Sequence, residues 1–466
     1  MRRFNPLSLG TAKLSLAACI GTSALITACG GSDNSFTAPF LDATLTLPAA
    51  AAPVATQSPA GTSEYQRHLD AATANAGKEF AGEQRRQWCY SVENAGAPPE
   101  LQDTTVVPMT KMFDNLYYTG RRWVGQYILK TPNGYFLLDA QNSTDDAKTL
   151  TIPGLVSAGI NPASLKGIMP THGHGDHYNG AKFMQDTYGG PVYIGSEDAA
   201  ALTAANARNA AVFSGSIVTT SLSTGTMTPQ TLAVDGLNLT VLSTPGHTPG
   251  TFSGILPAQL SGKTYKLIFW GGTGTPTTLP LAKAYLDGSE RLYQLAVTEN
   301  VDGTIHTHPF ADGSLAKLDA INKGTTGVKN PFLVGNASTL RSLSILRECS
   351  AAKVNALDAT VINPVWLTTT TEVAASKRTG SNGTSNVAGL IRVSDPYGPV
   401  ANAMVKLSLS VGSDSCTATT DAAGVASCAF LTTQPTQGGI ATAQFVGTRT
   451  STQVQLQSSA SVALNQ

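Results

Sequence analysis

The 466-residue sequence is poor in charge. Lys and Arg total 30 against 30 Asp and Glu, and only 13% of residues are charged. Phosphate binding needs clustered positive charge, so the balance argues against a nucleic-acid partner. Histidine is scarce, with 7 in the chain, and cysteine scarcer still, with 6. No Cys lies between Cys89 and Cys349 and no pair has Cys-x-x-Cys spacing, so zinc binding by cysteines is the weaker reading of them. The sequence has no Gly-x-Ser-x-Gly elbow and no Ser-x-x-Lys placed to serve a nucleophile, which leaves serine catalysis without its usual signatures. Beyond the first 28 residues no stretch is long and apolar enough to span a bilayer.

A hydrophobic content of 41% excludes wholesale disorder, and the length allows about two to four folded units. The 45 Gly and 25 Pro, with abundant Ser and Thr, read as an exported protein rich in β structure. Arg2 and Arg3 precede an apolar run over residues 14–28, too short for a membrane span and suited to a cleaved signal peptide, residues 1–28. The run ends Leu25-Ile26-Thr27-Ala28-Cys29, which resembles the bacterial lipoprotein signal. That resemblance implies lipidation of Cys29, a membrane partner reached through the lipid, and a location on the periplasmic side of the outer membrane or the cell surface. An ordinary secretory signal with an incidental Cys is the alternative.

Residues 29–62, rich in Ala, Thr, Ser and Pro, read as a flexible tether. Residues 63–360 read as the catalytic domain, opening with a helical preface over 63–88 that carries His68 as a surface residue. From about residue 105, strands alternate with helices, which argues for α/β layers. Residues 361–385 read as a linker and 386–466 as short alternating strands forming a small β-sandwich.

The chemistry is concentrated in three stretches. A short buried strand enters Thr171-His172-Gly173-His174-Gly175-Asp176-His177, where small spacers let side chains converge. Neutral imidazole and carboxylate are what Zn²⁺ accepts. Pro245-Gly246-His247 places one His in a rigid turn, and Ile305-His306-Thr307-His308-Pro309 places two at a strand end. His306 and His308 lie on one face at i, i+2, so spacing does not choose between them.

These three motifs resemble the metallo-β-lactamase superfamily over about residues 105–325. The resemblance implies an αββα sandwich with the site at one sheet edge. By position it implies a first zinc on His172, His174 and His247 and a second on Asp176, His177 and His308, the last preferred because the family's final His commonly precedes Pro. Two zinc ions ~3.5–4 Å apart would generate a bridging hydroxide that attacks a carbonyl of a small-molecule substrate, with Asp176 as the catalytic residue that both binds metal and orients that nucleophile. Most members carry an acid where this chain has Trp270-Gly271-Gly272-Thr273-Gly274, and one lactamase subclass needs a Cys there. What remains resembles the all-histidine lactamase subclass and implies opening of a cyclic amide. A lactone, ester or thioester hydrolase is the alternative, and a surface binding protein with a structural metal site is a second one. Asp139, ending a strand, reads either as support for a ligand His or as a turn cap.

Cys416 and Cys428 flank the turn Asp421-Ala422-Ala423-Gly424 and read as a disulfide; Cys89 and Cys349 are the remaining pair. The C-terminal segment resembles bacterial immunoglobulin-like domains in Asp395-Pro396-Tyr397-Gly398-Pro399 and the residues around Asp421, which implies a spacer or a surface-partner module.

Overall fold

The computed structural model describes residues 35–80, 83–93, 98–208, 219–222, 227–327, 329–434 and 439–464. The signal segment and Cys29 lie outside them. Among the described residues no helix is long and apolar enough to cross a membrane.

Two sheets face each other in the middle of the chain. The first has seven strands, Val106–Lys111, Leu116–Arg121, Gly125–Thr131, Gly134–Leu138, Leu165–Met169, Val192–Gly195 and Thr219–Leu222, lying in chain order. Its first four strands pair antiparallel and its last three join parallel. The second sheet contains Gln230–Val234, Leu237–Ser243, Phe252–Leu260 and Lys263–Phe269 as an antiparallel meander, with Gly303–Ile305 added parallel to the last. Strand periodicity explains the two-sided apolar runs. Leu129, Leu138 and Met169 point between the sheets to meet Val241, Phe252 and Leu267. Their chain neighbours Ile128 and Leu137 point outward against helix residues Leu155 and Met184. On the other side Ile268 meets Leu69, Leu292 and Leu346, from helices Glu64–Ala76, Leu279–Glu299 and Asn336–Leu357. The result is a helix–sheet–sheet–helix layering, the αββα arrangement expected from the sequence.

The helix Asn336–Leu357, which the sequence periodicity does not announce, corrects the reading of His68 as a surface residue. His68 is fully buried, and its Nδ1 lies 2.7 Å from Glu348 Oε2. Glu348 also accepts from Arg347 Nη1 at 2.6 Å and from the Trp366 backbone N–H at 2.9 Å. Burial alone would raise the Glu348 carboxyl, but Arg347 and His68 outweigh it and hold it below its ordinary value. Cys89 and Cys349 form a disulfide that joins helix Glu83–Glu93 to the same long helix, and Cys416 pairs with Cys428.

Two further expectations change. Residues 361–385 are not a linker alone: they contain strands Val365–Leu367 and Thr370–Thr379, the latter paired along its whole length with Ser385–Asp395. The Thr-rich run reads as a turn signal, yet β-branched residues suit a strand once a partner exists. The described part of the expected tether is held to the C-terminal strands. Phe40 exchanges two hydrogen bonds with the Asn386 side chain, Pro48 O accepts from Arg392, and the Val54 and Ala55 N–H groups donate to Pro396 O. The C-terminal region is built of β-sheets around Val387, Val405, Leu407, Phe430 and Ala443, consistent with a β-sandwich.

Candidate metal centre

Strand ends bring the three His-bearing stretches to one edge. His172, His174, Asp176 and His177 follow strand Leu165–Met169, His247 follows Leu237–Ser243, and His306 and His308 follow Gly303–Ile305. Glycine is required at two of these approaches. Gly246 has φ +143°, and a Cβ there would meet Tyr285 Cβ at 2.5 Å. A Cβ on Gly272 would meet the His247 ring at 2.5 Å, so the glycine-rich turn after Lys263–Phe269 exists to let that imidazole in.

The side chains form two triplets that could hold a metal ion: His172, His174 and His247, and Asp176, His177 and His308, the ligand atoms of each lying within 4.8 Å of one another. In the first, His174 Nδ1 is 3.1 Å from His172 Nε2 and 3.0 Å from His247 Nε2. In the second, His177 Nε2 is 3.2 Å from His308 Nε2, and Asp176 Oδ2 is 3.3 and 3.4 Å from the two. Tetrahedral ligands at ~2.0–2.1 Å from zinc stand ~3.3 Å apart, which these spacings match.

A proton inventory tests the fit. His247 Nδ1 lies 2.8 Å from Gly274 O and His308 Nδ1 2.6 Å from Trp123 O. A carbonyl only accepts, so both Nδ1 atoms carry the hydrogen and both Nε2 atoms present lone pairs to the centre. His177 Nδ1 is 2.5 Å from Asp139 Oδ2, which orients its Nε2 the same way. Thr171 Oγ1 donates to Asp139 at 3.3 Å and lies 3.1 Å from His172 Nδ1, so a fourth ring is set by relay. Lone pairs converging at about 3 Å repel unless a cation or a proton lies among them.

The charges agree. Burial, followed by the neighbouring rings His177, His247 and His174, pushes His172 well below its usual value. Burial and His174 push His247 down to about 3. For His177 burial acts downward too, but Asp139 and Asp176 outweigh it and raise the ring to about 10. Asp176 is held far below the usual carboxylate range: burial opposes this, and His177 and His308 overcome it. The first triplet thus favours neutral rings, while the second carries a proton where a cation would sit.

The structure separates His306 from His308. His306 Nδ1 accepts the His308 backbone N–H at 2.8 Å, so its ring hydrogen sits on Nε2 and that nitrogen has no lone pair to offer, and the ring packs edge-on against Trp88. Asp139 is buried at φ +63°, in the left-handed region that costs a non-glycine residue about 1–2 kcal/mol. Its carboxylate accepts from Thr171 N at 2.6 Å as well as facing His177. No sequence motif marks Asp198, because an acid in a helix's first turn looks like ordinary capping charge. It accepts from Gly173 N at 2.6 Å, Thr248 Oγ1 at 2.6 Å and Gly250 N at 3.0 Å, tying the His172 loop to the His247 turn. Both triplets open onto a cleft of about 570 Å³ also lined by Leu101, Gln102, Trp123, Asn142, Asn179 and Thr273. Tyr178 is buried and does not line it.

Residues 126–259 match the metallo-beta-lactamase superfamily family. The match takes in five of the six clustered side chains, and the sheet brings in His308. Among solved structures, similarity extends to a subclass B3 metallo-beta-lactamase of Bradyrhizobium japonicum (20% identity, TM-score 0.42, covering 55% of this chain and 94% of that one). It extends also to the metallo-beta-lactamases of Legionella gormanii (18%, 0.43, 55% and 98%) and Novosphingobium pentaromativorans (17%, 0.44, 57% and 100%). No curated protein matches the chain. The family match and the two His-rich triplets mark this part of the chain as a metal-dependent hydrolase domain.

Proposed function

We propose that His172, His174 and His247 hold one zinc ion and Asp176, His177 and His308 a second, and that the domain opens a cyclic amide, as a β-lactamase does. One observation carries this: His247 and His308 each donate the outer nitrogen to a backbone carbonyl, and His177 holds its own against Asp139, so each turns Nε2 toward the triplet to which it belongs. When bound, the two cations polarise a carbonyl and acidify a water. Asp176 faces both His177 and His308 and is the carboxylate placed to orient the attacking water. Asp139 keeps His177 in the tautomer that presents Nε2 inward. A structural zinc site is closed by four protein ligands, whereas each triplet has three and His174 is exposed to the cleft. Beside the triplets the cleft is lined by uncharged side chains, Leu101, Gln102, Trp123 and Asn142 among them, which suit a lactone, ester or thioester equally well and keep such substrates as the second reading.

The zinc-loaded full chain, offered a cephalosporin, a penicillin, a carbapenem, an acyl-lactone and an aryl ester, is expected to turn over at least one β-lactam. The activity should vanish on exhaustive chelation and return with zinc. Turnover of the lactone or ester alone would replace the substrate and keep the chemistry. Turnover of none, or turnover indifferent to chelation, rejects the hydrolase reading.

Export and anchoring rest on Arg2, Arg3, the apolar run and Cys29. The expected result is incorporation of labelled palmitate that Cys29→Ala abolishes; equal labelling of both forms would reject the anchor. We read the C-terminal sandwich as an immunoglobulin-like spacer or surface-partner module.

A further inference from the structure

Where two helices of the catalytic domain meet the C-terminal strands, the chain forms a second cavity, of about 330 Å³. Tyr293 reaches it from helix Leu279–Glu299, Arg341 from helix Asn336–Leu357, and Thr370 from strand Thr370–Thr379. Gln444 and Ser459 come from strands Ile440–Phe445 and Ser458–Ala463, where they stand opposite each other, so their side chains leave the same face. The volume is at the small end of ligand pockets, about 300–1,000 Å³. The cavity shares no lining residue with the cleft at the metal triplets.

Its polar side chains are accessible and unspent. Thr370, Gln444, Gln457 and Ser459 are exposed, and their side chains make no hydrogen bond among the described residues. Tyr293 is different in burial: it is only 2% exposed, its ring packed edge-on against Trp366 at 5.2 Å. Its hydroxyl has no partner among the described residues either, yet it is not sealed from solvent, so it opens into the cavity that it lines. Burial pushes the Tyr293 pKa up, so the hydroxyl keeps its proton and can both donate and accept. Charge is nearly absent. No carboxylate lines the cavity among the described residues, and the one guanidinium, Arg341, is engaged by Glu79 at 3.2 Å and by Ala76 O at 3.3 Å. Leu340, Leu456 and the Tyr293 ring supply apolar surface between the polar groups.

We propose that this cavity binds a small neutral saccharide, its hydroxyls met by Tyr293, Thr370, Gln444, Gln457 and Ser459 and a C–H face of its ring by Leu340 and Leu456. The assignment follows from the kind of bonding capacity left over. A hydroxyl donates and accepts through one atom, and a primary amide offers both kinds of atom. A ligand rich in hydroxyls matches such a set in any order, and its ring carbons suit the apolar surface between. A cation would find no carboxylate, and an anion would find only a guanidinium that is already paired. A wholly apolar ligand would strip water from these groups and return nothing, at about 1–3 kcal/mol for each group left unmet. The inference is independent of the hydrolase reading.

Calorimetric titration of the full chain with maltose, cellobiose, lactose and diacetylchitobiose tests this, with sulfate and N-acetylglycinamide alongside. At least one disaccharide should bind saturably at one per chain. Sulfate and the amide should bind at least about tenfold more weakly, as expected when several neutral hydrogen bonds are lost. Tyr293→Phe removes a hydroxyl that holds nothing in the free protein, so it should weaken the disaccharide by about three- to tenfold without lowering the melting temperature. The paired Gln444→Ala, Gln457→Ala variant changes only exposed side chains and should weaken it by about tenfold or more. Absence of saturable binding by every disaccharide overturns the proposal. So does sulfate binding as tightly, which would make it an anion site on Arg341, or the amide binding as tightly, which would make it a peptide site. Either variant binding like the parent also overturns it. Because the readout is heat of binding, hydrolytic failure leaves it unaffected.

Discussion

His174→Ala is expected to abolish hydrolysis, by at least about 10³-fold, and to remove one of two bound zinc equivalents while the chain stays folded. His174 Nδ1 stands between His172 Nε2 and His247 Nε2, at 3.1 and 3.0 Å, so its loss leaves the first triplet with two ligands. A bound cation contributes several kcal/mol of transition-state stabilisation, and each 1.36 kcal/mol is a factor of ten. The residue is exposed at the cleft and packs in no apolar cluster. Removing it therefore creates no core cavity, and circular dichroism and melting temperature of the metal-free protein should be nearly unchanged. Metal content by mass spectrometry and turnover of whichever substrate the panel identifies are measured on the same preparation. Activity kept with two zinc ions bound would sink the ligand assignment; activity lost with both ions bound would move His174 from metal binding to another role.

Removal of the Cys89–Cys349 disulfide is expected to destabilise the chain strongly, by about 5–6 kcal/mol in the chain-entropy account. The bond spans 260 residues of sequence, against 12 for Cys416–Cys428, whose loss should cost about 3 kcal/mol at most. Both Cys89 and Cys349 are fully buried, beside Trp88 and Leu346. The consequence should extend to the metal site. Helix Glu83–Glu93 also presses Trp88 against His306 and bonds Ser91 Oγ to Thr275 Oγ1 at 2.8 Å, next to the turn that receives His247. Urea denaturation of the paired Ser variant at fixed zinc concentration checks this, since bound metal adds its own stability. Equal midpoints for the parent and the Cys89→Ser, Cys349→Ser variant would show that helix packing alone holds the preface.

The six clustered side chains were legible in the sequence because metal chemistry leaves local marks. Gly173 and Gly175 separate the first ligands, and Gly246 and Gly272 are present because a Cβ would strike Tyr285 or His247. Strands with both faces buried also announce themselves, as Ile128 and Leu129 do by serving two cores. Other decisions needed partners far along the chain. His68 looks like one more polar residue on a helix until Glu348, 280 positions away, covers it. Residues 370–379 look like a turn-rich connector until Ser385–Asp395 pairs with them. Asp198 is silent because what it holds, Gly173 N and Gly250 N, are backbone groups with no residue signature.

By itself the sequence determined which ligand types this protein can offer and that they stand at strand ends. Only the tertiary structure decided between His306 and His308, because the choice turns on the role of Nδ1: in His306 it accepts a backbone N–H and leaves the hydrogen on Nε2, whereas in His308 it donates to the Trp123 carbonyl and leaves Nε2 a lone pair. Residue identity records what a side chain can bind, but a lone pair's availability is set by the partner folding places on its other side.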